Sequence, residues 1–340
     1  MFRHAPLLLS LLLLLPSTLP AAEAPSLEFA VLGDFRLESG RLLRNTQIGY
    51  RTAGTLNSDR SNAVLFPTWF TGNTEALFTS DAVGAVDTSR FFLIAIDALA
   101  NGTSTSPSNS RRQPDGNFPT VTIGDMVRSQ YRVLTEVLDI THLHAVVGIS
   151  MGGMQTYEWV TAHPDFVDRA VPIVGSPRLG SYDLLLWTAQ LAAIEQAAAC
   201  ECDPTAALEL TGMISQLALQ TPDYHRLEDP NDRGASLLEA GRAGGLIMAM
   251  HNRAAQLRAM IAHDVSSPTG GGLEAAAATV TADMLVVVGS RDHMVTPGPA
   301  LDFARLTDSQ VLALDSDCGH MVTVCERDGV NDAVRAFLGS

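Results

Sequence analysis

Ser150 lies in the stretch GISMGG, where glycines surround a hydroxyl group that is able to act as a nucleophile. An apolar run over 143–149 precedes it, and a helical pattern begins near Met151. Glycines here permit a tight turn from strand to helix, which lifts the serine above the edge of a sheet. The start of the helix also favours developing negative charge. The pattern therefore predicts a nucleophile at Ser150 rather than a structural turn.

A nucleophilic serine needs a histidine base and an acid that orients it, and both occur in loops that follow late apolar runs. Asp292 follows MLVVVGS, and His320 follows QVLALDS. Three rival groups are less suitable. His293 adjoins the proposed acid on the same loop, and Asp315 and Asp317 are too close in sequence to His320. We therefore expect Ser150, His320 and Asp292 to form a catalytic triad.

Hydrolysis of an acyl group also requires an oxyanion hole, which usually consists of two backbone amides. The residue after the nucleophile, Met151, is expected to supply one amide. The other is expected from the loop PTWFTGN after the run at 62–68, from either Phe70 or Trp69. The aromatic side chains of this loop are also expected to line the substrate pocket.

Six short apolar runs rich in Val, Ile, Leu and Phe are the candidate strands that position these groups. Their hydrophobicity is continuous rather than alternating, which is typical of parallel strands covered by helices on both faces. The runs span 62–68, 91–97, 143–149, 169–175, 284–290 and 310–316, and the helical patterns span 121–138, 151–163, 298–306 and 328–338. LEFAVL and TQIGYRTAG are predicted as antiparallel edge strands. The order of elements predicts an α/β fold with a mostly parallel sheet flanked by helices.

One long interval contains no strand pattern. Residues 179–282 form Ala- and Leu-rich helical segments between two predicted strands of the sheet. We predict that they are a helical cap inserted into one domain, whose two parts span 25–178 and 283–340. Such a cap would cover the carboxyl ends of the strands, where open α/β sheets bind ligands.

Residues 1–24 have the pattern of a secretory signal peptide, with Arg3, a short apolar stretch and small residues near Ala22 and Ala24. The apolar stretch is shorter than a membrane-spanning helix, so we expect no integral membrane segment after cleavage and a periplasmic or secreted protein. Export permits disulfides, but four cysteines allow three pairings, and free thiols remain an alternative. These cysteines are Cys200, Cys202, Cys318 and Cys325.

The composition excludes several classes of function. A net charge of −15 and the absence of lysine argue against a nucleic-acid partner, and the lack of lysine also excludes Schiff-base chemistry. No residue pattern suggests a metal site or an organic cofactor, so the expected partner is a small-molecule acyl substrate. The oligomeric state, monomer or homodimer, stays open.

Beyond the serine turn, the chain resembles the homoserine O-acetyltransferase-like branch of the α/β-hydrolase superfamily. The resemblance rests on GYRTAGTLNSDRSNAVLFPTWFTGN, DMVRSQYRVL, GISMGGMQTYEWVTAHPDFVDRAVPIVGSPR and the loops that carry Asp292 and His320. It implies an α/β-hydrolase fold with a helical cap, the same triad, and an oxyanion amide around Phe70. Arg128, in DMVRSQ, matches the family. It is a substrate-binding candidate together with Trp69 and Met321. The alternative for Arg128 is a role on the helix surface or in support of the site.

Two departures from the family bear on the substrate. Homoserine acyltransferases have an aspartate directly after the triad histidine, where this chain has Met321. They also have an arginine in the first cap helix, where the comparable stretch LLLWTAQ ends in Gln190. A zwitterionic amino acid would then leave buried charges unpaired, so homoserine is disfavoured.

We expect a serine hydrolase that cleaves a carboxylic ester, with a thioester or amide as variants. An exported enzyme has water available to release its acyl group, whereas acetyl-CoA is cytosolic. The first alternative is an O-acyltransferase that passes the acyl group to an alcohol. The second is a non-catalytic binding protein on a hydrolase scaffold.

Overall fold

The computed structural model describes residues 24–200, 202–228, 234–270 and 272–339. The predicted signal peptide lies outside these residues, apart from Ala24. Eight strands form one sheet in the order β1-β2-β4-β3-β5-β6-β7-β8. They are β1 Glu28–Arg36, β2 Leu42–Ala53, β3 Ala63–Pro67, β4 Phe92–Ile96, β5 Leu143–Ile149, β6 Val167–Ile173, β7 Asp283–Gly289 and β8 Gln310–Leu314.

The six strands from β3 to β8 pair in parallel, and β1 and β2 run antiparallel to their neighbours. Each of the six corresponds to one of the predicted apolar runs. The predicted fold class is confirmed. Of the two antiparallel strands predicted to lie at an edge, β1 does so, whereas β2 lies inside the sheet because it also pairs with β4. In the parallel part, Ile149 lies opposite Ile173 and Gly289 opposite Leu314. The carboxyl ends of these strands therefore lie along one edge of the sheet.

The continuous hydrophobicity of the strands has a direct structural cause. In β5, Val146 belongs to the hydrophobic core on one face of the sheet, whereas its neighbours Ala145 and Val147 belong to the core on the other face. Because successive side chains point to opposite faces, a strand covered on both sides has to be apolar at both. The helices of the main domain supply that cover. They are α1 Thr74–Thr79, α2 Ile123–Arg132, α3 Met151–Ala162, α10 Gly298–Leu306, α11 Val322–Cys325 and α12 Arg327–Leu338.

Six helices connect β6 to β7 in the region predicted as a cap. They are α4 Ser181–Ala199, α5 Thr205–Leu219, α6 Pro222–Glu228, α7 Gly234–Leu246, α8 Met250–Ile261 and α9 Gly272–Ala277. Helix α4 packs against α5 and α8, and α5 packs against α7. Leu257 of α8 and Ala276 of α9 are buried in the main core, so the last two helices also anchor the insertion to the sheet.

Among the helices of the described residues, none combines the length and the apolar character that crossing a bilayer requires.

Candidate active site

Ser150 occupies the turn between β5 and α3 in a conformation that few residues adopt. Its φ and ψ are 57° and −119°, and its backbone amide donates to Ile173 O at 2.9 Å. A Cβ on Gly148 would lie 2.2 Å from Gly152 O, and one on Gly152 would lie 2.7 Å from Pro67 O. Helix α3 thus approaches the ends of β5 and β3 too closely for any side chain at these glycines. This close approach explains the glycines of the stretch GISMGG.

The structure brings Ser150, His320 and Asp292 together in one hydrogen-bonded chain. His320 Nε2 lies 2.9 Å from Ser150 Oγ, and His320 Nδ1 lies 2.7 Å from Asp292 Oδ2. The second carboxylate oxygen, Asp292 Oδ1, accepts hydrogen bonds from the amides of Met294 and Val295. Both carboxylate oxygens are therefore held, and the histidine tautomer with a proton on Nδ1 leaves Nε2 free to accept the serine proton.

The rival groups considered in the sequence lie elsewhere. Asp315 and Asp317 both bind the Arg291 guanidinium, at 2.6 and 2.7 Å. His293 is exposed on the loop after β7, whereas its neighbour Asp292 is buried. None of the three forms a hydrogen bond with His320 within the described residues.

The predicted oxyanion residues lie on either side of Ser150. Met151 is the first residue of α3, and an amide at this position has no partner within its own helix. Trp69 and Phe70 line the same cavity as Ser150. The loop that carries them is fixed at its next residue, because the amide of Thr71 donates to Gln256 Oε1 at 3.1 Å. Both candidate donors are thus positioned by helices.

Buried amide side chains link Met151 to the end of β3, a connection that no sequence pattern predicted. Gln155 Nε2 donates to Thr68 O at 3.0 Å and to Met151 O at 3.1 Å. Its Oε1 accepts from Gln130 at 2.6 Å, and Gln130 accepts in turn from Trp159 Nε1 at 2.8 Å. Gln155, within the stretch MGGMQTYEW, therefore connects the serine turn to the end of β3.

Asp183 of α4 makes a second connection, between the insertion and the triad acid. Its carboxylate accepts from the amide of Thr296 at 3.0 Å, from the hydroxyl of Thr296 at 2.9 Å and from the amide of Gly180. Thr296 lies on the same loop as Asp292. Burial raises the pKa of this carboxyl group. Asp183 thus fixes the start of the first insertion helix to the loop that carries the acid.

Disulfides join Cys318 to Cys325 and Cys200 to Cys202. The first encloses the turn of Gly319–Met321, which carries His320, and extends to the last residue of α11. Cys318 is buried, whereas Cys200 is exposed at the end of α4. Only the first disulfide therefore restrains a residue of the triad.

A cavity of about 370 Å³ opens above Ser150, at the carboxyl end of the sheet and beneath the insertion. Ser150 and His320 line it, and Met321 does so as well. Most of its other walls are apolar or aromatic: Trp69, Phe70, Trp187, Leu219, Ile247, Met294 and Val324. A slightly larger depression of about 400 Å³, around His142 and Asp168, contains none of the triad groups. The cavity above Ser150 is therefore the candidate substrate site.

Arg128, predicted as a substrate-binding candidate, does not line this cavity. Its guanidinium donates to Asp125 Oδ1 at 3.2 Å and to Arg36 O at 2.8 Å, and it lies over the ring of Phe35. Helix α2 therefore points this side chain towards the end of β1. The structure assigns Arg128 the supporting role that the sequence left as the alternative.

Comparison with known proteins links this geometry to a family. The family described as the alpha/beta hydrolase fold matches residues 63–324. A probable esterase of Corynebacterium glutamicum is 43% identical over 163 residues, which span 46% of this chain and 46% of that protein. An ethyl acetate hydrolase of Pseudomonas veronii is 31% identical over 311 residues, or 86% of this chain and 89% of that protein.

Solved structures of such proteins superpose on this chain over most of its length. An acetylester hydrolase from Corynebacterium glutamicum superposes with a TM-score of 0.85 at 27% identity, covering 93% of this chain and 96% of that one. Homoserine O-acetyltransferases are also among the relatives. The relatives therefore include both hydrolases and acyltransferases, as the resemblance found in the sequence implied.

Proposed function

Because this chain belongs to the family of the alpha/beta hydrolase fold, we propose that it is a serine esterase that cleaves a carboxylic ester through an acyl-serine intermediate. The observation that carries the proposal is the hydrogen-bonded chain from Ser150 through His320 to Asp292. It lies at the floor of a largely apolar cavity, which suits an uncharged ester group.

In the first half of the proposed reaction, Ser150 Oγ attacks the acyl carbon while His320 Nε2 takes its proton. The negative charge that forms on the carbonyl oxygen is held by the amide of Met151 and by an amide of the Trp69–Phe70 loop. His320 then gives its proton to the departing alcohol. Asp292 keeps the imidazole oriented and stabilises its protonated form throughout.

In the second half, His320 activates an acceptor that releases the acyl group from Ser150. We propose that this acceptor is water. The residue after His320 is Met321, whose thioether carries no charge for the amine of an amino-acid acceptor. The names of the esterase and ethyl acetate hydrolase relatives support hydrolysis in the same way.

We also propose that the mature enzyme is periplasmic or secreted, on the strength of the signal-peptide pattern of residues 1–24. In that compartment water is the abundant acceptor and cytosolic acyl-CoA donors are absent. Fractionation of cells that express the full chain tests this point, and recovery of the enzyme only from the cytosol would contradict it.

Replacement of Ser150 by alanine tests the central proposal. We expect Ser150→Ala to abolish both hydrolysis of p-nitrophenyl acetate and labelling by a fluorophosphonate probe, since the attacking oxygen is lost. Ser80→Ala is a suitable control, because this serine lines the same cavity but its hydroxyl donates to Ala76 O. Unchanged labelling of Ser150→Ala would refute the assignment. A folded wild-type protein that takes up no probe would instead indicate a non-catalytic scaffold.

Analysis of products separates hydrolysis from transfer. With an ester substrate and a series of alcohols, a hydrolase releases the free acid at a rate that does not depend on the added alcohol. Formation of a new ester in preference to the acid would favour the acyltransferase alternative.

A further inference from the structure

Arg253 of α8 is a buried cation on the wall of the cavity above Ser150. The residue is only 2% exposed, and within the described residues no carboxylate forms an ion pair with it. Its Nη2 donates to the carbonyl oxygens of Gly244 and Gly245, at 2.8 and 3.2 Å. Its Nε has no hydrogen-bond partner in the described part of the chain. A donor and a full positive charge are thus left unsatisfied at the substrate site.

The surroundings of Arg253 increase the number of unsatisfied donors. Its guanidinium carbon lies 5.4 Å from the ring centre of Phe70. Trp187 of α4 packs edge-on against the same ring, at 5.6 Å between ring centres, and its Nε1 is likewise buried without a partner. Both side chains line the cavity. Phe70, in the oxyanion loop, therefore has two unpartnered N–H donors beside it.

Such an arrangement is costly unless a ligand completes it. Buried polar groups in proteins almost always have hydrogen-bond partners, and buried charges are almost always paired. Burial lowers the pKa of Arg253 to about 10, which still leaves the guanidinium protonated near neutral pH. The side chain is therefore a buried cation, and a negatively charged ligand group would supply its missing partner.

This cation changes one conclusion from the sequence. The loss of an arginine from the first insertion helix, at Gln190, suggested that the site has no positive charge. The structure places a different arginine, from α8, at the cavity. No aspartate follows the triad histidine. In the described part of the chain, the one acidic residue that lines the cavity is Asp81, which is exposed and makes no ion pair with Arg253. The site therefore suits an anion and not a zwitterion.

We propose that Arg253 binds a carboxylate of the substrate, so that the preferred substrates are esters that carry a negative charge. This inference rests on the proposed esterase function and names its substrate class. The donors Arg253 Nε and Trp187 Nε1 supply the hydrogen bonds, and the guanidinium supplies the charge. The carboxylate belongs to either the acyl or the alcohol part of the ester, and the experiment distinguishes the two.

Two pairs of esters with matched shapes test the proposal. In the acyl pair, monoethyl succinate is compared with ethyl 4-methylpentanoate, in which an isopropyl group replaces the carboxylate. In the alcohol pair, 3-acetoxypropanoate is compared with isoamyl acetate, which differs in the same way. We expect the wild type to prefer the charged member of one pair by about 10- to 100-fold in kcat/KM, the usual effect of a charge-assisted hydrogen bond. A preference for the apolar member in both pairs would overturn the proposal.

Variants of Arg253 identify the group responsible. Arg253→Met is expected to reduce the ratio of kcat/KM for the charged ester to that for its apolar partner to about one, through a rise in KM for the charged ester. Arg253→Lys keeps the charge and should retain part of the ratio. Arg258→Met is the matched control, because this arginine lies on the same helix but pairs with Glu195 at 2.9 Å on the surface. It should leave the wild-type ratio unchanged.

The outcomes are distinguishable from failure of the proposed function. If the wild type hydrolyses isoamyl acetate and Ser150 reacts with the fluorophosphonate probe, the esterase function holds whatever the charged esters show. If Arg253→Met lowers kcat/KM equally for both esters of a pair, the side chain only supports the fold, and the binding role is refuted. If Arg253→Met does not fold, the wild-type preference and its partial retention in Arg253→Lys still decide the question.

Discussion

The sheet and the helical insertion meet at one cavity, but the polar groups that they contribute differ in whether they have hydrogen-bond partners. On the sheet side, Asp292, His320 and Gln155 each have their hydrogen-bonding atoms occupied by other parts of the chain. On the insertion side, Trp187 Nε1 and Arg253 Nε are buried at the cavity without partners in the described residues. Unpartnered atoms also occur in residues that do not line the cavity, namely Tyr157, His163, Gln190, His225 and His263.

The difference separates two tasks. Groups that take part in bond making have to be held in position before the substrate arrives, so their partners belong to the protein. Groups that select the substrate remain available to it. In the proposed reaction, the sheet side therefore carries out bond cleavage, and the insertion side selects the molecule that is cleaved.

The largest effect is expected from Asp292→Asn, which disrupts the sheet side while it keeps the shape. The amide nitrogen would face His320 Nδ1 and favour the tautomer that has its proton on Nε2, which can no longer accept the serine proton. We expect kcat to fall by about 10³- to 10⁴-fold, the effect that loss of the triad acid has in serine proteases. Steady-state kinetics with p-nitrophenyl acetate measures it.

Asp315→Asn is the control for this change, since that exposed aspartate pairs with Arg291 and not with His320. It should leave kcat unchanged. Retention of more than about a tenth of the wild-type kcat in Asp292→Asn would contradict the assigned role.

The same substitution in α3 and in α4 of the insertion should have different consequences for stability. Gln155→Leu leaves Gln130 and the carbonyl of Thr68 buried without their partner, and we expect the free energy of unfolding to fall by about 3 kcal/mol. Gln190→Leu removes a donor that has no partner and one contact with the Ser215 hydroxyl, so its effect should stay below about 1 kcal/mol.

Urea denaturation of both variants measures this difference. Equal losses of stability would mean that the unpartnered donor of Gln190 is satisfied within the folded protein. The contrast between α3 and the insertion would then be wrong at that position.

The two disulfides give the third and smallest contrast. Loss of the Cys318–Cys325 bond in a double alanine variant should lower the free energy of unfolding by about 2 kcal/mol, because it frees an eight-residue loop. It should also lower kcat, because His320 lies inside that loop. Loss of the exposed Cys200–Cys202 bond, which closes a shorter loop at the end of α4, should leave kcat unchanged. Thermal melts and kinetics of both variants measure these effects, and equal kcat values would exclude a positioning role for the first bond.

Much of the sheet side could be predicted from the sequence because its signals are local. The strands are continuous apolar runs, and each proposed triad residue lies within a few residues of the end of one. The glycines around Ser150 mark a close approach of two backbones, which no other residue tolerates. Such features need no knowledge of the rest of the molecule.

The insertion side could not be predicted in the same way. Helix α8 contains Arg253 and Arg258 in a uniform Ala- and Met-rich pattern, and five residues of helix place them on different faces. Which face meets the cavity depends on how α8 packs between α4 and the sheet. Arg128 illustrates the converse, since its family motif suggested the site while α2 directs it to Asp125 and Arg36.

The backbone at Ser150 has a consequence for how this protein can evolve. Its φ of 57° and ψ of −119° lie in a region that glycine adopts readily and serine does not, which costs the folded state about 1–3 kcal/mol. Glycine at this position would relieve the strain and remove the reaction. Stability and activity are therefore opposed at a single residue, and the neighbouring close-packed glycines are the compensation that keeps the active form folded.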